Sequence, residues 1–332
     1  MTIVRRMVPR TEHPAIVHRR RERDGEPVND RRLRRLLDEG AVIRIVAGSY
    51  ANRASWDALT PLDRHYLRVL EGAARARGEL VVSHFAAAAV WCMDILGSWP
   101  ARVDVRIDRA GGGRSSGAFR RRALGLDDVE LVPWQGHWIT SPAQTAIDLA
   151  GTLTFTKAVV ALDQALWAKR SGGALTDIAA VRSVAARASL RVGARKLSSA
   201  IDFATSLSDS VRETQSRVLI DRMGFPAPVL QRRFDLPSGR IVHPDFFFED
   251  QQHAGEFDGL GKYLDPLILR GRTPEEALID EKDRADELMR VVRGLSRWRT
   301  PALTDPRQLY DILAAAGLPT RQPRPRPGQH WA

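Results

Sequence analysis

The feature that most constrains this chain lies between residues 241 and 257, where two aromatic and β-branched runs flank a polar break. Ile-Val-His-Pro-Asp-Phe-Phe-Phe (241–248) and the run 253–257 have strand composition, and Glu249-Asp250-Gln251-Gln252 separates them. A hairpin of this kind sets Asp245 and Glu256 on adjacent strands, within reach of one ion. Asp258-Gly259 and Lys262-Tyr263 follow directly. A hard cation such as Mg2+ (or Mn2+) takes oxygen ligands, keeps several waters and is held by one or two carboxylates plus substrate phosphate oxygens. Once held, it acidifies a water and neutralises charge building on a phosphodiester. The pattern therefore predicts Asp245 and Glu256 as metal ligands, Asp258 as a third, and Lys262 as the cation that orients the water or stabilises the oxyanion. The plain alternative stands beside it: Asp-Gly is a strong turn dipeptide, so Asp258-Gly259 would only close a hairpin.

From Ser208 to about Thr304 further elements fall in an ordered series. They are a helix from Ser210 through Glu213 to Gly224, the run Pro226-Ala-Pro-Val-Leu-Gln231, the Asp245 strand, Gly255-Glu-Phe-Asp-Gly259, Glu281-Lys-Asp-Arg284 on a helix, and Arg297-Trp298 on a last strand. This third of the chain resembles the PD-(D/E)xK nuclease superfamily, most closely bacterial domains related to very-short-patch-repair (Vsr-like) endonucleases. The resemblance implies an α/β/α restriction-endonuclease-like core with Glu213 as the acidic residue of the first helix. It further implies Asp245 and Glu256 as the metal pair and Arg284 as a basic residue facing the site. The superfamily places a lysine two residues after the second acid; here Asp258 stands there, so that either Lys262 substitutes from a displaced position or the site uses a different arrangement. For Arg284 the alternative is an i,i+3 partner of Glu281. Thr273-Pro-Glu-Glu276 has the signature of a helix start, predicting a helix from 274 to about 291.

The amino-terminal part carries a different pattern. Residues 11–24 and 30–39 read as helices, the second ending before Gly40, and Ala41–Tyr50 reads as strand, turn and strand. In the second helix Arg31, Arg34 and Arg35 share one face and Leu33, Leu36 and Leu37 the buried one. A helix followed by a wing is the layout of a winged helix-turn-helix. With Arg44 on the wing, these arginines are the DNA-binding candidates, against the alternative of an ordinary solvated face. Leu36–Gly40, Gly48-Ser-Tyr50, Val82–Ala88, Val103–Asp108 and Ile139–Ala150 together resemble the AbiEi family of type IV antitoxins. That resemblance implies a DNA-binding transcriptional regulator with a winged helix, a second α/β domain and a possible toxin partner.

The expected fold class is α/β (α+β), in five segments. These are a winged helix-turn-helix at 1–58 with a disordered start, an AbiEi-like α/β domain at 59–170 and a helical connector at 171–206. A nuclease-like domain at 207–316 and a disordered Pro/Arg-rich tail at 317–332 follow. A net charge of +11, with arginine supplying nearly all of the 51 basic residues, suits a phosphate backbone. Cys92, the one cysteine, offers no disulfide and no thiolate metal site and is expected to be a buried, inert thiol. Phe85–Leu96 is too short and too interrupted to span a bilayer, and no secretion signal is read, which predicts a cytoplasmic protein. His84 is expected in the core, and Gly111–Gly117 as a hairpin tip. Two functions compete: a Mg2+-dependent endonuclease acting on DNA, with RNA not excluded, in defence or repair; and a non-catalytic antitoxin-like regulator whose nuclease-like domain only grips DNA.

Overall fold

The computed structural model of the protein describes residues 9–10, 17–19, 30–111, 115, 117–188, 193–259 and 273–329. The start of the chain, Lys262-Tyr263 and the centre of the glycine-rich 111–117 segment lie outside them. Helices and sheets are mixed, an α/β class, and the chain divides into two compact units, Met1–Ala204 and Thr205–Ala332. Among the described residues no helix is long and apolar enough to cross a membrane.

Unit one begins with β1 (Val17–Arg19), α1 (Asp30–Asp38), β2 (Val42–Val46) and β3 (Ser49–Asn52), whose strands form a sheet in the order β1-β3-β2. The helix expected over 11–24 is contradicted at Val17–Arg19, which pairs antiparallel with β3. A free sheet edge outweighs the weak helical pattern of a charge-rich segment. Next come α2 (Arg53–Asp57), α3 (Pro61–Ala74), β4 (Val81–Val82), α4 (His84–Val90), β5 (Val103–Ile107), β6 (Phe119–Ala123), β7 (Leu131–Trp134) and β8 (His137–Thr140). Strands β4 to β8 form a five-stranded sheet, ordered β6-β5-β4-β8-β7. It is followed by α5 (Pro142–Thr152), α6 (Phe155–Leu166), α7 (Ile178–Arg187) and α8 (Ala194–Phe203). The last two helices occupy the expected connector, yet they pack on α5 and α6 within unit one, because Val181, Val184, Leu197 and Ile201 need an apolar face to bury against. Cys92 is exposed rather than buried: α4 stops at Val90, and the turn that follows sends Trp91 and Met93 inward and Cys92 outward.

Unit two contains α9 (Val211–Arg222), β9 (Val229–Leu230), β10 (Phe234–Asp235), β11 (Ile241–Val242), β12 (Phe246–Phe248), β13 (His253–Phe257), α10 (Pro274–Leu288), β14 (Gly294–Trp298), α11 (Thr300–Thr304) and α12 (Pro306–Ala315). The main sheet runs β14-β13-β12-β9, with β13 and β14 parallel and the other pairs antiparallel. Strand alternation sends Phe246, Phe248 and Phe257 to one face, against Leu219 and Ile220 of α9 and Leu309 and Leu313 of α12. Phe247 and Ala254 point to the other, against Leu288 of α10 and Val292. A sheet covered on both faces results. Gly255 sits under the Trp298 ring, where an added Cβ would lie 2.7 Å from it, so this central strand position has room only for glycine.

The strand expected over 241–248 is broken in two. Ile241–Val242 pairs with β10, Phe246–Phe248 pairs with β9 and β13, and His243-Pro244-Asp245 turns between them. Pro244 has no N–H to give a ladder and restricts the residue before it. The tail expected to be disordered packs on unit two as far as it is described. Leu318 is buried, the Thr320 hydroxyl donates to the Met223 carbonyl, and the Arg321 N–H donates to the Gly224 carbonyl at 3.1 Å. Gly224 ends α9 at φ +71, where a Cβ would press on the tail backbone. Arg324 adds a two-bond ion pair to Asp311.

Candidate active site

Helix α9 begins on Ser210, whose hydroxyl accepts the Glu213 N–H at 3.1 Å; the Glu213 carboxylate reaches back to accept the Asp209 N–H at 2.8 Å. These two bonds, one to the cap residue and one to the residue before it, fix Glu213 at the first turn. Its side chain is 9% exposed and lies close enough to Asp245 for the two charges to interact. Burial, then the Asp245 charge, push its carboxyl up to about 8, against the opposing pull of the Asp209 and Ser210 hydrogen bonds. Between the two acids stands Gln231. Its side-chain amide nitrogen lies 3.5 Å from Glu213 Oε2 and 3.5 Å from Asp245 Oδ1, long hydrogen bonds made from a backbone at φ +51. A non-glycine residue holds that conformation only where its surroundings enforce it.

Asp245 also ties the sheet together. Its Oδ2 accepts the Phe257 N–H at 2.8 Å, so a side chain continues the ladder past the end of β12. The β12–β13 register, extended one residue, sets Asp245 opposite Glu256, yet the two carboxylates are engaged separately. Glu256 shares the Ala254 face of β13 and meets α10, where Arg284 binds both its oxygens at 2.9 and 3.0 Å. Arg297, its neighbour in register on β14, donates to it at 3.0 Å. Arg284 and Arg297 each reach Glu281 at 2.6 Å, closing a network of two acids and two guanidiniums. Burial works against the charge on Arg284, but the hydrogen bonds and charges of Glu281 and Glu256 outweigh it and raise its pKa. Asp258 is held by Arg299 at 2.8 and 2.6 Å.

The expected residues thus form three groups: Glu213 with Asp245, Glu256 with Arg284, and Asp258 with Arg299. Among the described residues no cluster of three or more His, Cys, Asp or Glu side chains is placed to hold a metal ion, so Asp245, Glu256 and Asp258 are not gathered as a triad. Lys262 lies outside the described residues. Gln231, Arg297 and Glu281 join the site although sequence reasoning gave them no role there. The i,i+3 spacing of Glu281 and Arg284 was the one available signal, and it holds alongside the Glu256 contact.

In unit one, Arg31, Arg34 and Arg35 are exposed on α1 and Arg44 on β2. Arg35 lies 3.7 Å from Glu39. Leu33 is buried and Leu36 half-buried, but Leu37, expected inside, is exposed, because a nine-residue helix against a three-stranded sheet covers only a narrow stripe. His84 is buried, bonded to the Ser83 hydroxyl and kept neutral chiefly by burial.

Comparison with known proteins leaves these residues to speak for themselves. No family model matches the chain. It is 29% identical over 139 residues to an uncharacterised protein of Mycobacterium tuberculosis, Rv2248 in strain H37Rv and MT2308 in strain CDC 1551. The match takes in 42% of this chain and 49% of those relatives, so the chain spans about half the length of the curated proteins it resembles.

Proposed function

We propose that unit two is a metal-dependent nuclease domain that hydrolyses phosphodiester bonds in DNA, with RNA as the competing substrate. The observation that carries the proposal is the Glu213–Asp245 pair. Folding seldom buries one carboxylate against another without return: burial first, and then the Asp245 charge, lift Glu213 to about 8, and a divalent cation between the two acids would relieve both. The donor types fit a hard cation: two carboxylates, with the side-chain amide of Gln231 between them. Glu213 and Asp245 would hold Mg2+ or Mn2+, which supplies an acidified water and neutralises charge on the phosphate. Gln231 keeps the two acids in register. Arg284 and Arg297, which both bond Glu256, present guanidinium groups to a phosphodiester.

In this reading the exposed Arg31, Arg34, Arg35 and Arg44 of unit one contact DNA and target the enzyme in a defence or repair setting in the cytoplasm. A second reading is favoured by one observation: the ion pairs on Glu256 and Asp258 satisfy both acids without metal. It makes unit two a non-catalytic DNA-binding domain of an antitoxin-like regulator, with a toxin as partner. Cleavage of plasmid and single-stranded DNA with Mg2+ or Mn2+ decides between them. The expected result is metal-dependent cutting that falls by about a hundredfold or more in Asp245→Ala and Glu213→Ala. DNA binding without cutting in all three proteins would hand the assignment to the regulator.

A further inference from the structure

A cavity of about 610 Å3 opens past the edge strand β14, between α10 and the α11–α12 pair, in the size range of pockets that enclose small molecules. It adjoins the candidate active site through the backbone: Asp258 lines it, and the preceding residue, Phe257, gives its N–H to the Asp245 carboxylate. The floor is apolar, made by Ala285, Pro301, Ala302 and Ile312, with the buried Trp298 beside them. The rim is polar and cationic. Lys282 is exposed and has no ion-pair partner among the described residues, and Arg299 and Gln308 also line the cavity. The two carboxylates that line it, Asp258 and Glu281, are already paired with arginines.

Such a wall is more than a phosphate track. A phosphodiester backbone is recognised by cations and water and has no use for an apolar floor. An unstacked nucleotide needs both: a flat face laid on apolar side chains, polar edges met at the rim, and its phosphate against lysine or arginine. A base inside a duplex cannot reach the floor without losing its stacking and pairing, so an unpaired base enters at least expense. We infer that this cavity binds one unpaired nucleotide next to the reacting phosphate, making nucleic acid with a bulged or single-stranded base the substrate class. The inference rests on the nuclease reading for its substrate but not for its test.

Binding is measured on the full chain without divalent cation, using a duplex with one bulged 2-aminopurine, the same duplex fully paired, and the single strand. The bulged DNA is expected to bind at least tenfold more tightly than the paired duplex, with a several-fold rise in 2-aminopurine fluorescence as the base leaves its stack. Ala285→Phe, which fills the cavity, should abolish both the preference and the fluorescence change while duplex binding persists. Lys282→Glu, a surface change that leaves the fold untouched, should weaken binding of the bulged DNA about tenfold. Equal affinity for bulged and paired DNA, or a preference unaltered in both variants, overturns the inference. Cleavage with Mg2+ is then assayed on the same DNAs. Preferential binding without cutting sinks the nuclease reading and keeps the pocket; cutting without preference does the reverse.

Discussion

Both units bury carboxylates, but they surround them differently. In unit one, Asp104 is fully buried on β5 and receives hydrogen bonds from Arg120 at 2.5 and 2.6 Å and from Arg122 at 2.9 Å, two arginines on neighbouring β6. Burial works against its charge, yet the Arg120 hydrogen bond and the Arg122 charge more than compensate and hold its pKa below the usual carboxylate range. Asp148 on α5 is answered likewise, by Arg106 at 2.7 Å and Gln144 at 2.9 Å. In unit two, Glu213 is 9% exposed, against 0% for Asp104 and 7% for Asp148, and the nearby charge is that of another acid. The acid pair in unit two is the one that the nuclease proposal assigns to a ligand, whereas the arginine-bound acids of unit one are structural pairs.

The largest consequence falls on Asp104. Removing it in Asp104→Ala strands two guanidiniums that are a quarter to a third exposed, which should destabilise unit one by about 3 kcal/mol. Urea unfolding of the full chain checks this. The contrast drawn above breaks if Asp104→Ala is neutral.

Glu213→Gln should act in the opposite direction. Because the folded Glu213 titrates near 8 rather than at its ordinary value of 4.5, the native state binds more protons than the unfolded one between those values. The stability this group contributes is fully present below about pH 4.5 and is lost as pH rises through 8. Glu213→Gln removes the slope and should stabilise unit two at pH 8 to 9 by about 1–3 kcal/mol, read as a higher melting temperature than wild type there. Millimolar Mg2+ should flatten the wild-type slope and leave the variant unchanged. A wild-type melting temperature independent of pH from 5 to 9 would remove the pair's special standing.

How much of this was legible in the sequence follows the range of each signal. Helix α1, the β2–β3 strand pair, strand β13 and the start of α10 were visible because caps, alternation and turn residues act within a few positions. Thr273 and Glu276 form the reciprocal cap that their spacing announced. The split at Pro244 has a local signal too, the proline itself, but it stands inside a run of aromatic residues with strand composition. What local pattern cannot carry is partner choice. Gln231 meets Glu213 across eighteen positions, and Arg297 meets Glu256 across forty-one through a parallel register that exists only once β13 and β14 have paired. The packing of 171–206 and of the tail was missed for the same reason: half-apolar helices and proline-rich strands look alike whether or not a surface awaits them.

The smallest effect concerns the network that resembles unit one while sitting in unit two. Glu256 has Arg284 on both oxygens, so Arg297→Met leaves it satisfied, and the side chain being removed is a third exposed. The stability loss should be about 1 kcal/mol, seen as a small shift in the urea midpoint. If Glu256 serves structure alone, cleavage should change no more than that shift explains. If Arg297 also presents its guanidinium to the phosphodiester, the cleavage rate should fall about tenfold or more at a pH and temperature where the variant is fully folded. Arg297→Lys separates the two roles further, because a lysine keeps the charge beside Glu256 but cannot bridge Glu256 and Glu281 with a planar fork. A lysine variant that recovers stability but not cleavage would place Arg297 with the Glu213–Asp245 pair; one that recovers both would place it with Arg120 and Arg122.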